Sequence, residues 1–84
     1  MRLPRIKSEK LVKSLHKKFN AVIRGQRGSH VKLSFNCHGE RRIQVIPLHK
    51  GREISTGIIQ RIVQFLSECF GRERSEIIEL LLDP

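Results

Sequence analysis

Apolar and polar positions recur along this chain with two periods, and the switches between them divide it into elements. From Glu9 to Phe19 the apolar residues Leu11, Val12, Leu15 and Phe19 fall on one helical face. Lys10, Lys13 and Lys17 project from the opposite face. With Ser8 as N-cap and Glu9 in the first turn, the spacing predicts an amphipathic helix over about residues 9–19. Ala21-Val22-Ile23 reads as a short strand, and Gly25-Gln26-Arg27-Gly28-Ser29 as a turn rich in residues that tolerate positive φ. From His30 the period becomes two. Val31, Leu33 and Phe35 point to one side, and His30, Lys32, Ser34 and Asn36 to the other.

A polar turn around His38-Gly39 separates this strand from a third, Arg42–Ile46, which stops near Pro47. Matching apolar faces pairs Phe35 with Ile43 and Leu33 with Val45. That register sets His30 opposite Leu48, with His49 just past the strand end, so two histidines come to one end of the sheet. Ser55 or Thr56 caps a second helix carrying Ile58, Ile59, Ile62, Val63, Leu66 and Phe70, and Gly71 ends it. Ser75 opens a last short helix whose Ile77, Ile78 and Leu81 can close over the core. The order α-β-β-β-α plus a small helix predicts an α+β fold, with a three-stranded antiparallel sheet and helices on one face. The other sheet face is left to solvent or ligand.

Eighty-four residues suffice for one domain, 1–84, and one modest core. Charge changes the picture more than size does. The net charge is +9, and residues 1–52 hold fourteen of the seventeen Lys and Arg against only Glu9 and Glu40. Residues 53–84 hold three Arg against five Glu and one Asp. A basic field over part of a small domain attracts polyanions and points to nucleic acid; an acidic protein partner is the weaker reading. The start, Met1-Arg2-Leu3-Pro4-Arg5, is followed by no apolar stretch of a secretory signal, and the C-terminal apolar run is broken by Glu79, so no membrane association is expected. Cys37 and Cys69 form no CxxC pair and suggest no disulfide framework, so a cytoplasmic location is the expectation. Cys37, His38 and Cys69 match no common zinc spacing, and neither metal nor other cofactor is expected.

Phosphodiester cleavage without a metal needs a group that takes the 2′-hydroxyl proton near neutral pH, and histidine is the natural residue. His30, where a turn enters a strand, is the candidate. Charge building on phosphorus needs cations or N–H donors, and Arg27, Lys32, Lys50 and Arg52 lie in the neighbouring segments. A lone histidine at a strand start is more often structural. The wider pattern is more specific.

Arg27-Gly28-Ser29-His30, then Ile46-Pro47-Leu48-His49-Lys50-Gly51-Arg52-Glu53-Ile54 and Gly57-Ile58-Ile59-Gln60-Arg61-Ile62, resembles HicA-type mRNA interferases in order and spacing. These are the toxin halves of bacterial HicA–HicB toxin–antitoxin pairs. The resemblance implies a double-stranded-RNA-binding-like fold, endoribonuclease activity on mRNA with His30 as the active histidine, and inhibition by a HicB antitoxin covering that site. It implies an auxiliary or substrate-binding role for His49, and Ser29 and Lys32 are grouped with it. Lys10, Lys13, Lys17, Arg27, Lys50 and Arg52 are the expected RNA contacts. The alternative is a non-catalytic module gripping A-form RNA by shape. Three departures stand out: Val31 where many members have a second histidine, Asn20-Ala21 in place of a glycine–aromatic pair, and a longer second helix.

Overall fold

The computed structural model describes residues 3–83; Met1, Arg2 and Pro84, on which the reading of the chain's start and the last residue of the domain fall, lie outside them. Helix α1 spans Ser8–Phe19, and its apolar stripe is buried as the periodicity requires. It ends at Asn20, whose φ of 57° is the left-handed conformation that asparagine tolerates better than most residues. Lys7, not Ser8, is the N-cap, and it makes no side-chain cap. Ser8 is the first helical residue, and its hydroxyl is used elsewhere.

Three antiparallel strands follow in the order β1-β2-β3: β1 (Val22–Arg27), β2 (His30–Cys37) and β3 (Glu40–Pro47). β1 is longer than its apolar signal, because Gly25-Gln26-Arg27 continues the strand and the turn shrinks to Gly28-Ser29. Gly28, at φ 59°, supplies the positive φ that a two-residue hairpin turn demands. A bulge between Ile23 and Gly25 interrupts the ladder at Arg24.

β2 pairs with β3 one residue away from the register that the apolar residues suggest. Phe35 faces Arg42, Leu33 faces Gln44 and His30 faces Pro47, not Ile43, Val45 and Leu48. The turn decides this. His38 and Gly39 both take positive φ, 53° and 82°, and close a two-residue hairpin in which Cys37 must face Glu40. Asn36 Oδ1 accepts from Gly39 N at 3.1 Å and braces it. In consequence Ile46 alone of the three β3 aliphatics is fully buried, whereas Ile43 and Val45 are 43% and 41% exposed on the open face.

Helix α2 (Thr56–Phe70) starts at Ser55, whose hydroxyl accepts from Ile58 N, and stops at the left-handed Gly71. Helix α3 (Arg74–Leu82) starts one residue earlier than Ser75 suggests, with Glu73 as an N-cap that makes no side-chain bond. The three helices and the inner sheet face share one apolar core. Phe35 and Phe65 meet edge to face at 5.2 Å, and Phe19 and Phe70 at 5.3 Å. Cys37 and Cys69, from which no disulfide framework was expected, are brought side by side with Cα atoms 5.1 Å apart, where the end of β2 meets α2. No helix among the described residues is long and apolar enough to cross a membrane.

The register makes a direct prediction. Ile46→Ala should lower the unfolding free energy by about 2–5 kcal/mol, as expected for a filled core site. Val45→Ala should cost less than about 1 kcal/mol. Urea unfolding of the two variants checks this, and the opposite ranking would support the shifted pairing.

Candidate active site

Residues directly opposite one another in an antiparallel ladder share a face, so the open side of the sheet can be read in rows. The first row is Arg27, His30 and Pro47; the second is Gly25, Lys32 and Val45; the third is Val22, Ser34 and Ile43; the fourth is Asn36 and Arg41. Successive rows lie about 6.6 Å apart, two residues of strand rise. No position in these rows is acidic. Arg24 joins the face through the bulge, where its Nε donates to Ser34 Oγ at 2.8 Å. None of Arg24, Arg27, Lys32 and Arg41 has a carboxylate partner among the described residues.

His30 is exposed and borders a shallow cavity of about 390 Å³, together with Arg24, Gln26, Arg27, Lys32 and Val45. The other histidines sharpen its position. The rings of His16 and His38 contact backbone oxygens, of Ala21 at 2.8 Å and of Glu68 at 3.5 Å. Those of His30 and His49 have no hydrogen-bond partner among the described residues. Val31, where relatives were expected to carry a second histidine, is 2% exposed and belongs to the core.

The His49 loop is built from helix α1. Ser8 Oγ donates to His49 O at 2.8 Å and accepts from His49 N at 3.1 Å, and Ser8 N donates to Arg52 O at 2.9 Å. Gly51, at φ 81°, donates its N–H to both carboxylate oxygens of Glu9 at 3.2 Å. Arg52 N donates to His49 O at 2.9 Å and closes the turn that carries Lys50. Leu48 N donates to the carbonyl of the half-buried Ser29, continuing the β2–β3 ladder by one step. The Gly28-Ser29-His30 turn and the His49 segment therefore run side by side, as anticipated, although His30 itself faces Pro47. His49, Lys50 and Arg52 are exposed, but none of them borders the His30 cavity.

The lysines of α1 lie away from His30, although Lys13 and Lys17 border, with Asn20, Ala21 and Val22, a cavity at the β1 edge of the open face. Lys10, Lys13 and Lys17 border a cavity between α1 and Asp83 that excludes His30. Lys10 Nζ donates to Leu82 O at 3.2 Å, and neighbouring Lys18 pairs with Asp83 at 2.6 Å. The Lys18 ammonium holds the Asp83 carboxyl below its ordinary pKa, first through that hydrogen bond. Sequence reasoning overlooked Arg24, Arg41, Ile43 and Val45 as members of the open face. A signal for Arg24 was present: a glycine within a strand, here Gly25, is a common mark of a bulge.

The fold and this face define a class of protein: a small basic α+β domain presenting an unpartnered histidine on a cationic sheet surface free of carboxylates. Residues 8–67 match the family described as HicA toxin of bacterial toxin–antitoxin, and the chain belongs to that family. No curated protein and no solved structure matches it. Membership assigns the chain a toxin role and a cognate antitoxin partner.

The clamp on the His49 loop has a pH signature. Hydrogen bonds from Glu9's own N–H and then from Gly51 N hold the Glu9 carboxyl below its ordinary pKa. A depressed folded-state value means that Glu9 stabilises the fold above the ordinary carboxylate range, and that this is lost as pH falls through the lowered value. Thermal melts of wild type and Glu9→Gln should therefore differ near neutral pH and converge in acid. A gap of constant size from pH 7 down to pH 3 would contradict the carboxylate's role.

Proposed function

We propose that this chain is an endoribonuclease that cleaves mRNA without a metal, with His30 as its catalytic histidine and a HicB-type antitoxin as the partner that silences it. The observation that carries the reading is the His30 ring, exposed and unpartnered in a cavity bordered by Arg24, Arg27 and Lys32. In this reaction the His30 imidazole takes the proton of a ribose 2′-hydroxyl. The freed oxygen attacks the adjacent phosphorus, and the bond to the 5′-oxygen of the next nucleotide breaks. A 2′,3′-cyclic phosphate and, once the leaving oxygen gains a proton, a 5′-hydroxyl result.

Arg24, Arg27 and Lys32 stabilise the negative charge that builds on the phosphoryl oxygens. The absence of carboxylates in the surrounding rows favours this, since each would repel the substrate phosphate and weaken the cationic field. It also leaves magnesium without the hard anionic ligands it prefers. His49, on the loop clasped by Ser8 and Glu9, serves substrate binding together with Lys50 and Arg52.

Two measurements test the assignment. His30→Ala should reduce cleavage of a labelled mRNA by about 10²–10⁴-fold, the usual worth of a general base, with an unchanged circular dichroism spectrum. Near wild-type cleavage in that variant removes His30 from the mechanism. His49→Ala should lower activity less, chiefly by raising KM. In excess EDTA the wild-type protein should keep its activity and yield cyclic-phosphate ends; a loss reversed by magnesium would replace this mechanism with a metal-assisted one.

A further inference from the structure

We infer that the open sheet face holds a second phosphate-binding subsite, formed by Arg24 and Arg41 around Ser34, which grips RNA nucleotides flanking the one cleaved at His30. The inference rests on the ribonuclease reading and extends it from the reacting nucleotide to the path of the strand.

A second cavity of about 310 Å³ lies along the same face, bordered by Val22, Arg24, Ser34, Asn36 and Arg41 among others. Arg24 borders both cavities and forms their common wall. Its position is built rather than incidental. The β-bulge turns it onto the open face, and its Nε is fixed on Ser34, which is only 3% exposed although it sits on the solvent side of the sheet. Anchoring through Nε leaves the terminal nitrogens without a protein partner among the described residues, and a guanidinium presented in this way suits the paired oxygens of a phosphate.

Arg41, in the fourth row beside Asn36, also has no carboxylate partner among the described residues. Asn36 has its Oδ1 engaged by Gly39 N, which leaves its amide N–H groups as donors. Between the two cationic ends, Val22, Ile43 and Val45 are 44%, 43% and 41% exposed and offer apolar surface to sugars and bases. From the row of His30 to the row of Ser34 is four residues of strand, roughly 13 Å, a span that needs more than one nucleotide. Cations in successive rows, with apolar side chains beside them, fit the repeating phosphate and base of a single strand better than they fit one isolated anion.

The test uses 2′-O-methyl oligoribonucleotides, which lack the attacking hydroxyl, in two-nucleotide and eight-nucleotide lengths. Their affinities for the whole protein are measured by fluorescence anisotropy across a salt series. Arg41→Gln, at an exposed position, should weaken the eight-mer several-fold and lower its log–log salt slope by about 0.7, the value for one lost phosphate contact on a single strand. Binding of the two-mer should be unchanged. Arg24→Lys, which keeps the charge but loses the fork, should also weaken the eight-mer.

Wild-type affinity and slope for the eight-mer in Arg41→Gln would overturn the subsite, whatever Arg24→Lys does, while mRNA cleavage that depends on His30 would leave the ribonuclease reading standing. If the wild-type protein binds neither oligonucleotide and cleaves no mRNA, both readings fall together. If Arg41→Gln instead loses affinity only for an oligo-glutamate peptide, the face belongs to an acidic protein partner and the inference is wrong.

Discussion

Everything on the open face depends on the burial of alternate residues of β2. Val31, Leu33 and Phe35 are at most 2% exposed, and they fasten the central strand to the helices. Because the side-chain period of a strand is two, that burial forces His30, Lys32, Ser34 and Asn36 outward together. A single shift of the strand would bury a histidine and a lysine and expose three large apolar groups, which is why the outward set is so firmly fixed. The His30 side chain is thus positioned by hydrophobic packing on the reverse side of the same strand. Nothing on the open face has to hold it.

The same logic explains what could be read from the sequence and what could not. α1 and α2 were legible because their apolar stripes are long and regular, and Gly71 and Asn20 marked their ends. β2 was legible from its alternation. The β2–β3 register was misjudged because Ile43 and Val45 were treated as core residues on hydrophobicity alone. A two-residue turn at His38-Gly39 ties Cys37 to Glu40, and every later pair follows from it. Pairing Phe35 with Ile43 would have required a three-residue loop. Turn geometry therefore outranks the preference of two aliphatic side chains, which stay partly exposed on a functional surface.

The side-by-side run of the Gly28-Ser29-His30 turn and the His49 segment was expected from a register that is off by one residue, and it survives because that shift moves the pairing by only one position along the strand. The α1 lysines were grouped with the site because they are basic, and charge alone carries no direction. In the fold, α1 packs behind the sheet, and its Lys10 and Lys18, about two turns apart, engage the C-terminal end of α3. Arg24 and Arg41 were missed for the converse reason. Their approach depends on a bulge and on a hairpin register, features that no single residue announces.

The loop after β3 shows how one helix terminus can serve two purposes. An exposed first turn ordinarily leaves its N–H groups to a capping side chain or water. Here α1 uses its first residues to clasp another segment instead: Ser8 holds both backbone groups of His49, and Glu9 receives Gly51. A four-residue cationic turn with a left-handed glycine has little intrinsic order, and fixing it by local packing would require apolar side chains that the loop lacks. Hydrogen bonds between the loop's backbone and Ser8 and Glu9 fix the main chain and leave the side chains of His49, Lys50 and Arg52 exposed. Such a loop presents cations without committing them.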